Sequence, residues 1–288
     1  MRVLAPAKLN LYLDVLGKRP DGYHDLQTVM HEINLCDAIR LEKRKRVISL
    51  ACAGLPAPDG PENLVWRAAD MFLSETGIKA GVRIKLTKRI PARRGLGGGS
   101  SDAAAVLRGM NALYEAGLSD RDLMGLAARL GSDVPFFIQG GTALCEGRGE
   151  RVKPIQTSAK FHFLLVLPSF GLSTARVYRE LTRKDLTPVL ADATILLAAV
   201  KRGDFESLSR GVYNRLEKPA FRLRPRLRRI KQYLAAQGCR GVLMSGSGSA
   251  VYGVLPDTFT AESLADSIHC RGLGRAIVVQ TFCRSDRT

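Results

Sequence analysis

The sequence predicts an α+β protein built from two lobes. Segments that alternate polar and apolar residues, as strands do, are mixed along the chain with segments of helical period, without strict alternation between the two. The 288 residues suffice for one large domain or two ordinary ones, and 45% hydrophobic with 25% charged residues is typical of a globular protein. No long linker or internal repeat divides the chain, and we place the lobes at residues 1–158 and 159–288.

The first lobe is predicted to begin with a strand over Val3–Val15, in which Lys8 and Asn10 share one face. A loop rich in turn residues follows at Lys18–His24. The same periodicities predict strands at Leu26–Leu35, Asp37–Lys43, Val47–Ala51 and Val82–Leu86, helices at Asn63–Ser74, Ala103–Ala116 and Ser119–Arg129, and further strands within 141–167. Gly117 is the expected stop of the second helix.

The second lobe is predicted from the same signals. Its helices are expected at Ala175–Leu181, Asp192–Lys201 and Arg226–Ala236, and its strands at Gly241–Ser245, Ala250–Val254 and Ala276–Gln280.

A glycine-rich segment precedes an alanine-rich helix and predicts a phosphate site. It consists of Gly95, Leu96, Gly97, Gly98, Gly99, Ser100 and Ser101. Closely spaced glycines let several N–H groups point at one anion, and a helix N-terminus favours phosphate. No Gly-Lys-Ser/Thr of a Walker A loop follows, and the segment is not placed as a dinucleotide fingerprint requires. ATP is the natural ligand; the alternative is a flexible loop in which Ser101 caps the helix.

Three other segments could border the same cleft. Lys8 and Asn10 could enter it together or simply lie on an exposed strand face. Asp133 precedes Val134-Pro135 and is either the N-cap of a helix or a carboxylate that accepts a proton from a substrate hydroxyl. The Gly/Ser-rich segment Met244–Ala250 is either a tight turn or a second wall of the cleft.

Charge and cysteine content limit the kinds of partner and site that we expect for this protein. The net charge is +17, but only 6% of residues are aromatic and no nucleic-acid-binding motif is present, so we expect solvated cations around an anionic substrate rather than a nucleic-acid partner. Six scattered cysteines argue against a zinc site or disulfide framework. No apolar run approaches the ~20 residues that span a bilayer, and no signal peptide is evident at the start. We expect a cytoplasmic protein without membrane partners.

In this order, the segments resemble the GHMP kinases, the superfamily of galactokinase, homoserine kinase and mevalonate kinase. The segments that carry the resemblance are Pro6–Leu11, Arg19–His24, Gly95–Ala104, Gly131–Phe136 and Asn214–Glu217. The segments are more similar still to the members that phosphorylate cytidine diphosphate-methylerythritol. The resemblance implies a first lobe like domain 2 of ribosomal protein S5, a ferredoxin-like second lobe, and ATP and Mg²⁺ as cofactors.

The resemblance also implies roles for individual residues. Asp133 would orient or deprotonate the 2-hydroxyl of the methylerythritol group, and Lys8 would keep Asp133 ionised and stabilise the transferred phosphoryl. Asn10 would hydrogen-bond the substrate near that hydroxyl. The cytosine would stack on Tyr23 and be read by His24.

The resemblance also implies roles for two residues of a segment whose length varies within the family, Thr174 and Tyr178. Thr174 would hydrogen-bond the substrate and Tyr178 would cover the second face of the cytosine. Only Ser100 and Ser101 lie near enough in sequence to contact Mg²⁺, and we assign no metal ligand. A monomer and a homodimer both remain open.

The chain departs from the family pattern just before the glycine-rich segment. Arg93 and Arg94 stand where relatives have small residues, often glycine, and either contact phosphate or point into solvent.

Two alternatives to this function are considered. The first is a GHMP kinase for another acceptor, such as a mevalonate or homoserine derivative, and the second is a non-catalytic RNA- or anion-binding protein on a kinase scaffold. Tyr23-His24 argues against the first, since those acceptors carry no base. Retention of Lys8 and Asp133 argues against the second.

Overall fold

The computed structural model describes residues 1–186, 193–256 and 262–283. Its first half contains strands β1 (Arg2–Lys18), β2 (His24–Arg44), β3 (Ser49–Gly54), β4 (Gly81–Lys88), β5 (Thr142–Gly147) and β6 (Arg151–Ile155). The helices of this half are α1 (Leu64–Thr76), α2 (Gly98–Tyr114), α3 (Asp120–Leu130) and α4 (Val134–Gln139).

The second half is richer in short helices. They are α5 (Thr174–Arg179), a 3₁₀ turn (Arg183–Leu186), α6 (Ala193–Arg202), α7 (Phe205–Gly211), α8 (Glu217–Leu223), α9 (Arg226–Ala236) and α10 (Glu262–Cys270). Its strands are β7 (His162–Leu167), β8 (Tyr213–Asn214), β9 (Arg240–Met244), β10 (Val251–Leu255) and β11 (Arg275–Gln280). No helix in the described part of the chain is long and apolar enough to cross a membrane.

Two sheets organise the described residues. The larger has the order β3-β4-β2-β1-β8, with β5 paired to β2 and β6 to β5. The smaller is antiparallel, in the order β11-β7-β10-β9. Because β8 pairs in parallel with β1, a segment of the second half completes the first sheet beside the strand that carries Lys8.

Both faces of β1 are buried, since the strand lies between two packed layers. Leu9 and Leu11 belong to a core shared with Phe163 and Tyr252 of the smaller sheet. Lys8, on the opposite face, is only 3% exposed. The two-residue period therefore places Lys8 and Asn10 on one face as predicted, but that face is a buried cleft.

Most predicted elements are present, with three differences. The strands expected at Leu26–Leu35 and Asp37–Lys43 form the single strand β2, because an irregularity in its pairing with β1 near Cys36 is absorbed without breaking the strand. Helix α2 begins at Gly98, inside the glycine-rich segment, and stops at Glu115, whose φ of 54° is left-handed, rather than at Gly117. The short elements α7, β8, α8 and α10 were not predicted. The expected start of α6 at Asp192 lies outside the described residues.

Candidate active site

Strand β1 and the start of α4 bring Lys8 and Asp133 together. Asp133 occupies the N-cap position of α4, but its side chain makes no capping hydrogen bond. Its Oδ2 instead lies 3.8 Å from Nζ of Lys8, and the side chain is 34% exposed. Of the two interpretations of Asp133, the geometry favours the carboxylate that faces the cleft.

Burial of Lys8 changes its acidity. The pKa of Lys8 is lowered from its ordinary value of 10.5 because the ammonium is buried, and the Asp133 carboxylate offsets part of that effect. Lys8 Nζ also donates to Oδ1 of Asn10, while Asn10 Nδ2 donates to the Thr28 hydroxyl at 2.8 Å. Asn10 is therefore oriented by its neighbours, with its carbonyl oxygen toward Lys8.

The glycine-rich loop is held close to both halves of the chain. The Lys8 N–H donates to the carbonyl of Leu96 at 3.0 Å, and the Ser245 hydroxyl donates to the carbonyl of Gly95 at 2.9 Å. At Gly97, which has a φ of 70°, an added Cβ would lie 2.8 Å from the Phe137 ring. Such packing requires glycine at this position.

Helix α2 begins directly in this loop. Its N-cap is Gly97 and no side chain caps it, so the alternative that made Ser101 the N-cap is wrong. The first amides of α2 consequently lack a side-chain acceptor, which is the arrangement that suits a phosphate.

The second Gly/Ser-rich segment forms the opposite wall. Asn214 Nδ2 donates to the carbonyls of Met244 and Gly246, at 2.7 and 2.8 Å, and so holds the turn in place. A Cβ on Gly246 would lie 3.2 Å from Nζ of Lys8. Of the two interpretations of Met244–Ala250, the structure therefore places the segment as a wall of the cleft.

These elements enclose a cavity of about 370 Å³, which we call the phosphate cavity. Its lining includes the candidate site residues Lys8, Asn10, Gly95–Ser100, Asp133, Thr174 and Tyr178, together with Gly246 and Ser247 of the second Gly/Ser-rich segment. Ser101 lies just behind this lining, buried in α2.

A second, larger cavity of about 770 Å³ adjoins the first, and we call it the acceptor cavity. Its lining includes Tyr23, His24, Asp133, Thr174 and Tyr178, so the last three belong to both cavities. Asp133 therefore lies at the junction between them.

The aromatic side chains of the acceptor cavity differ in their exposure. Tyr23 is 52% exposed, and the guanidinium of Arg148 lies 5.0 Å from its ring centroid. Tyr178, expected opposite Tyr23, lies against His24, with ring centroids 5.0 Å apart. The pKa of His24 is lowered by burial and by the nearby Lys18. A neutral imidazole can both donate and accept hydrogen bonds.

One cluster next to the loop was not anticipated. Lys88 Nζ contacts the carboxylates of Asp37 and Asp102, the latter at 2.7 Å, and all three side chains are buried. Burial raises the pKa of Asp102 to about 8 in spite of Lys88. The cluster ties the end of β4 to the start of α2 on both sides of the loop. The alternation along β4 could have indicated that the Lys88 side chain is buried. It could not have identified the two carboxylates that Lys88 contacts, because they come from two distant segments.

Comparisons with known proteins identify the class. The profile of the GHMP kinases N terminal domain matches residues 63–141, and that of the GHMP kinases C terminal domain matches 196–273. The homoserine kinase of Cytophaga hutchinsonii has a TM-score of 0.76 at 19% identity, covering 98% of this chain and 94% of its own. The L. major mevalonate kinase has a TM-score of 0.73 at 16% identity, with coverage of 99% and 96%, and both show a shared fold. The protein is a GHMP kinase, and the predicted two-lobed α+β fold is confirmed.

More similar sequences narrow the assignment. The 4-diphosphocytidyl-2-C-methyl-D-erythritol kinases of Pelotomaculum thermopropionicum and Moorella thermoacetica are both 46% identical, covering 97% and 92% of this chain and 97% and 93% of their own. A crystal structure of a 4-(cytidine 5'-diphospho)-2C-methyl-D-erythritol kinase matches with a TM-score of 0.84 and 40% identity, covering 98% of this chain and 100% of its own. The chain belongs to the 4-diphosphocytidyl-2-C-methyl-D-erythritol kinase family.

Proposed function

We propose that this chain transfers the γ-phosphoryl group of ATP to the 2-hydroxyl of 4-diphosphocytidyl-2-C-methyl-D-erythritol, a step of non-mevalonate isoprenoid precursor biosynthesis. The observation that carries the proposal is the position of Asp133. Its carboxylate lies where the phosphate cavity meets the acceptor cavity, 3.8 Å from Lys8. A hydroxyl that enters from the acceptor side meets a proton acceptor and a donor phosphoryl at the same point.

The reaction follows from these positions. Asp133 accepts the proton of the substrate hydroxyl while the hydroxyl oxygen forms a bond to the γ-phosphorus of ATP. The bond between the γ-phosphorus and the oxygen that bridges to the β-phosphate breaks at the same time, and ADP leaves with that oxygen. The buried Lys8 ammonium stabilises negative charge on the transferred phosphoryl group. Asn10 hydrogen-bonds the substrate near the reacting hydroxyl.

The loop residues Gly95–Ser101 hold the ATP phosphates, and Mg²⁺ belongs to the same site. The residues present fit the ion: the Ser101 hydroxyl is buried without a hydrogen-bond partner, and the Ser100 side chain lies in the cavity lining. Among the described residues no three His, Cys, Asp or Glu side chains form a metal site, and Mg²⁺ commonly takes few protein ligands alongside substrate phosphates. When bound, Mg²⁺ neutralises charge on the phosphates. We also propose a cytoplasmic location, where ATP is available.

The acceptor cavity supports a cytidylated acceptor. The exposed Tyr23, whose ring also lies near the Arg148 guanidinium, can stack on the cytosine, while His24, Thr174 and Tyr178 supply polar groups and a second aromatic surface. Mevalonate and homoserine carry no base that would use these side chains.

A coupled assay of ADP release tests the function. We expect acceptor-dependent turnover with 4-diphosphocytidyl-2-C-methyl-D-erythritol and background rates with mevalonate and homoserine. Comparable rates with mevalonate or homoserine, which carry no nucleobase, would contradict the proposal. Tight, salt-sensitive RNA binding without any ATP turnover would contradict it as well.

Replacing Tyr23 should chiefly weaken acceptor binding. Base stacking on an aromatic ring contributes about 1–3 kcal/mol, so Tyr23→Ala should raise the KM for the acceptor about 5- to 150-fold and leave the KM for ATP unchanged. Tyr23→Phe, which keeps the ring, is the matched control and should stay near wild type. An unchanged acceptor KM in Tyr23→Ala would show that the base binds elsewhere.

A further inference from the structure

Arg94, just before the glycine-rich loop, lines the phosphate cavity with a guanidinium that forms no ion pair with the residues the structure describes. Its Nε is buried and has no hydrogen-bond partner, and its Nη1 makes only a long contact of 3.5 Å to the carbonyl of Ala92. Burial lowers the pKa of Arg94, and no carboxylate in the described part of the chain opposes that effect. A buried N–H without a partner destabilises the protein, so an anion that accepts its hydrogen bond is favoured at this position.

Other arginines that are partly buried in this protein are paired. Arg215 contacts the carboxylate of Asp14, and Arg108 donates to the carbonyls of Phe137 and Ile138. A purely structural Arg94 would be expected to find similar partners. Its neighbour Arg93, by contrast, is exposed.

The backbone around Arg94 is held by the second half of the chain. The N–H of Ala250 donates to the Arg94 carbonyl at 3.1 Å, and the N–H of Leu172 donates to the carbonyl of Arg93 at the same distance. A Cβ on Gly171 would lie only 2.6 Å from Nη1 of Arg94, so a glycine lets this second loop approach the guanidinium. These contacts fix the backbone that carries Arg94, and Gly171 leaves room for the guanidinium beside it.

The position of Arg94 points to the terminal phosphate. The first amides of α2 lie at the far end of the loop, while Arg94 lies at its beginning, beside the turn that carries Ser247. The Ser247 hydroxyl is 2.9 Å from that of Thr174, which also lines the acceptor cavity. The turn that holds the Arg94 carbonyl therefore also contacts a residue that lines both cavities, and from this connection we infer that Arg94 lies toward the acceptor side of the phosphate cavity.

We propose that Arg94 binds the γ-phosphoryl group of ATP through its guanidinium and stabilises the charge on that group during transfer; this role rests on the kinase function proposed above. The guanidinium fork matches phosphate oxygens with two parallel hydrogen bonds, and its charge is strongest where water is excluded. Of the residue pair that departs from the family pattern, Arg94 would then be a phosphate ligand, whereas Arg93 is exposed at the edge of the same cavity.

Nucleotide binding without acceptor provides the first test, so its outcome does not depend on the identity of the acceptor. We expect Arg94→Gln to weaken binding of a non-hydrolysable ATP analogue in calorimetry and to leave ADP binding unchanged. Arg89→Gln removes the same charge from an exposed position outside both cavities and should change neither affinity. Equal losses for the two nucleotides, or no loss for the analogue, would overturn the proposal.

Turnover provides the second test. With the cytidylated acceptor, Arg94→Gln should lower kcat on the order of 100-fold, as loss of one preorganised donor does. Arg94→Ala should be partly rescued by added guanidinium ion but not by sodium chloride at equal ionic strength, a response that a merely structural role would not give. If Arg94→Gln fails to fold, Arg94→Lys carries both tests, because one ammonium cannot form the paired hydrogen bonds. A kcat within a few-fold of wild type, or absence of rescue, would overturn the proposal.

Discussion

Asp133→Asn should abolish most turnover while leaving nucleotide binding intact. The amide retains the shape of the carboxylate but cannot accept the proton of the substrate hydroxyl, and general-base catalysis contributes about 100- to 10,000-fold. We therefore expect kcat to fall by about that factor, with little change in the KM for ATP. Steady-state kinetics with the cytidylated acceptor measure both. Asp70→Asn, an exposed acid on α1, is the control and should retain wild-type rates.

Lys8 should be nearly as sensitive. Lys8→Ala removes the buried cation that faces Asp133, so kcat should fall by a similar factor although the carboxylate is still present. Rates for either variant within a few-fold of wild type would refute the mechanism.

The pH dependence provides a separate check on Lys8. Its ammonium form is the active one, so kcat/KM should fall as the pH rises through its pKa. Because burial lowers that pKa from 10.5, the fall should begin at a lower pH than for an ordinary lysine. In Lys8→Arg the cation stays charged throughout, so residual activity should lack this alkaline fall. A Lys8→Arg profile that keeps the same fall would assign it to another group.

The sequence was informative where the chemistry is local. The alternation in β1 was sufficient to put Lys8 and Asn10 on one face, and the close glycines were sufficient to predict a loop that opens a helix. Asp133 remained ambiguous from pattern alone, because an N-cap and a catalytic carboxylate have the same neighbours in sequence. In the structure Asp133 occupies the N-cap position, makes no capping hydrogen bond and lies near Lys8, and its role as the catalytic carboxylate stays a prediction.

What could not be predicted depends on contacts between distant segments. The cluster of Lys88 with Asp37 and Asp102 joins residues from β2, β4 and α2. The short strand β8 is a strand only because β1 lies beside it, and Asn214 on β8 then holds the turn at Gly246. Such short elements gain their stability from the tertiary structure rather than from periodicity.

The proposed boundary between lobes remains a prediction. The pairing of β8 with β1 shows that the two halves share one sheet near the site, whatever the boundary chosen. The cleft is consequently built from both halves. Among the contacts between the loop and the second half, the approach of Gly95 to Ser245 is the tightest for an added side chain.

Gly95→Ala should damage both stability and catalysis. Gly95 has a φ of 73°, and an added Cβ would lie 2.0 Å from the carbonyl oxygen of Ser245 and 3.1 Å from the backbone nitrogen of Gly248. These atoms belong to a turn that is itself held by hydrogen bonds from Asn214, so a shift of the turn away from the added Cβ would break those bonds. Left-handed strain and overpacking together predict a loss of about 2–5 kcal/mol in the free energy of unfolding. Urea denaturation measures it, and weaker ATP binding should accompany it.

Gly117→Ala separates the two causes. Gly117 has a nearly identical φ of 70°, but nothing lies within 4 Å of an added Cβ. This variant should therefore lose only the strain contribution, about 1–2 kcal/mol, and retain wild-type turnover. The difference between the two variants isolates the clash between the loop and the turn. If both lost the same stability and Gly95→Ala kept full activity, the loop would not depend on the second half of the chain for its shape, and the close approach at Gly95 would have no functional consequence.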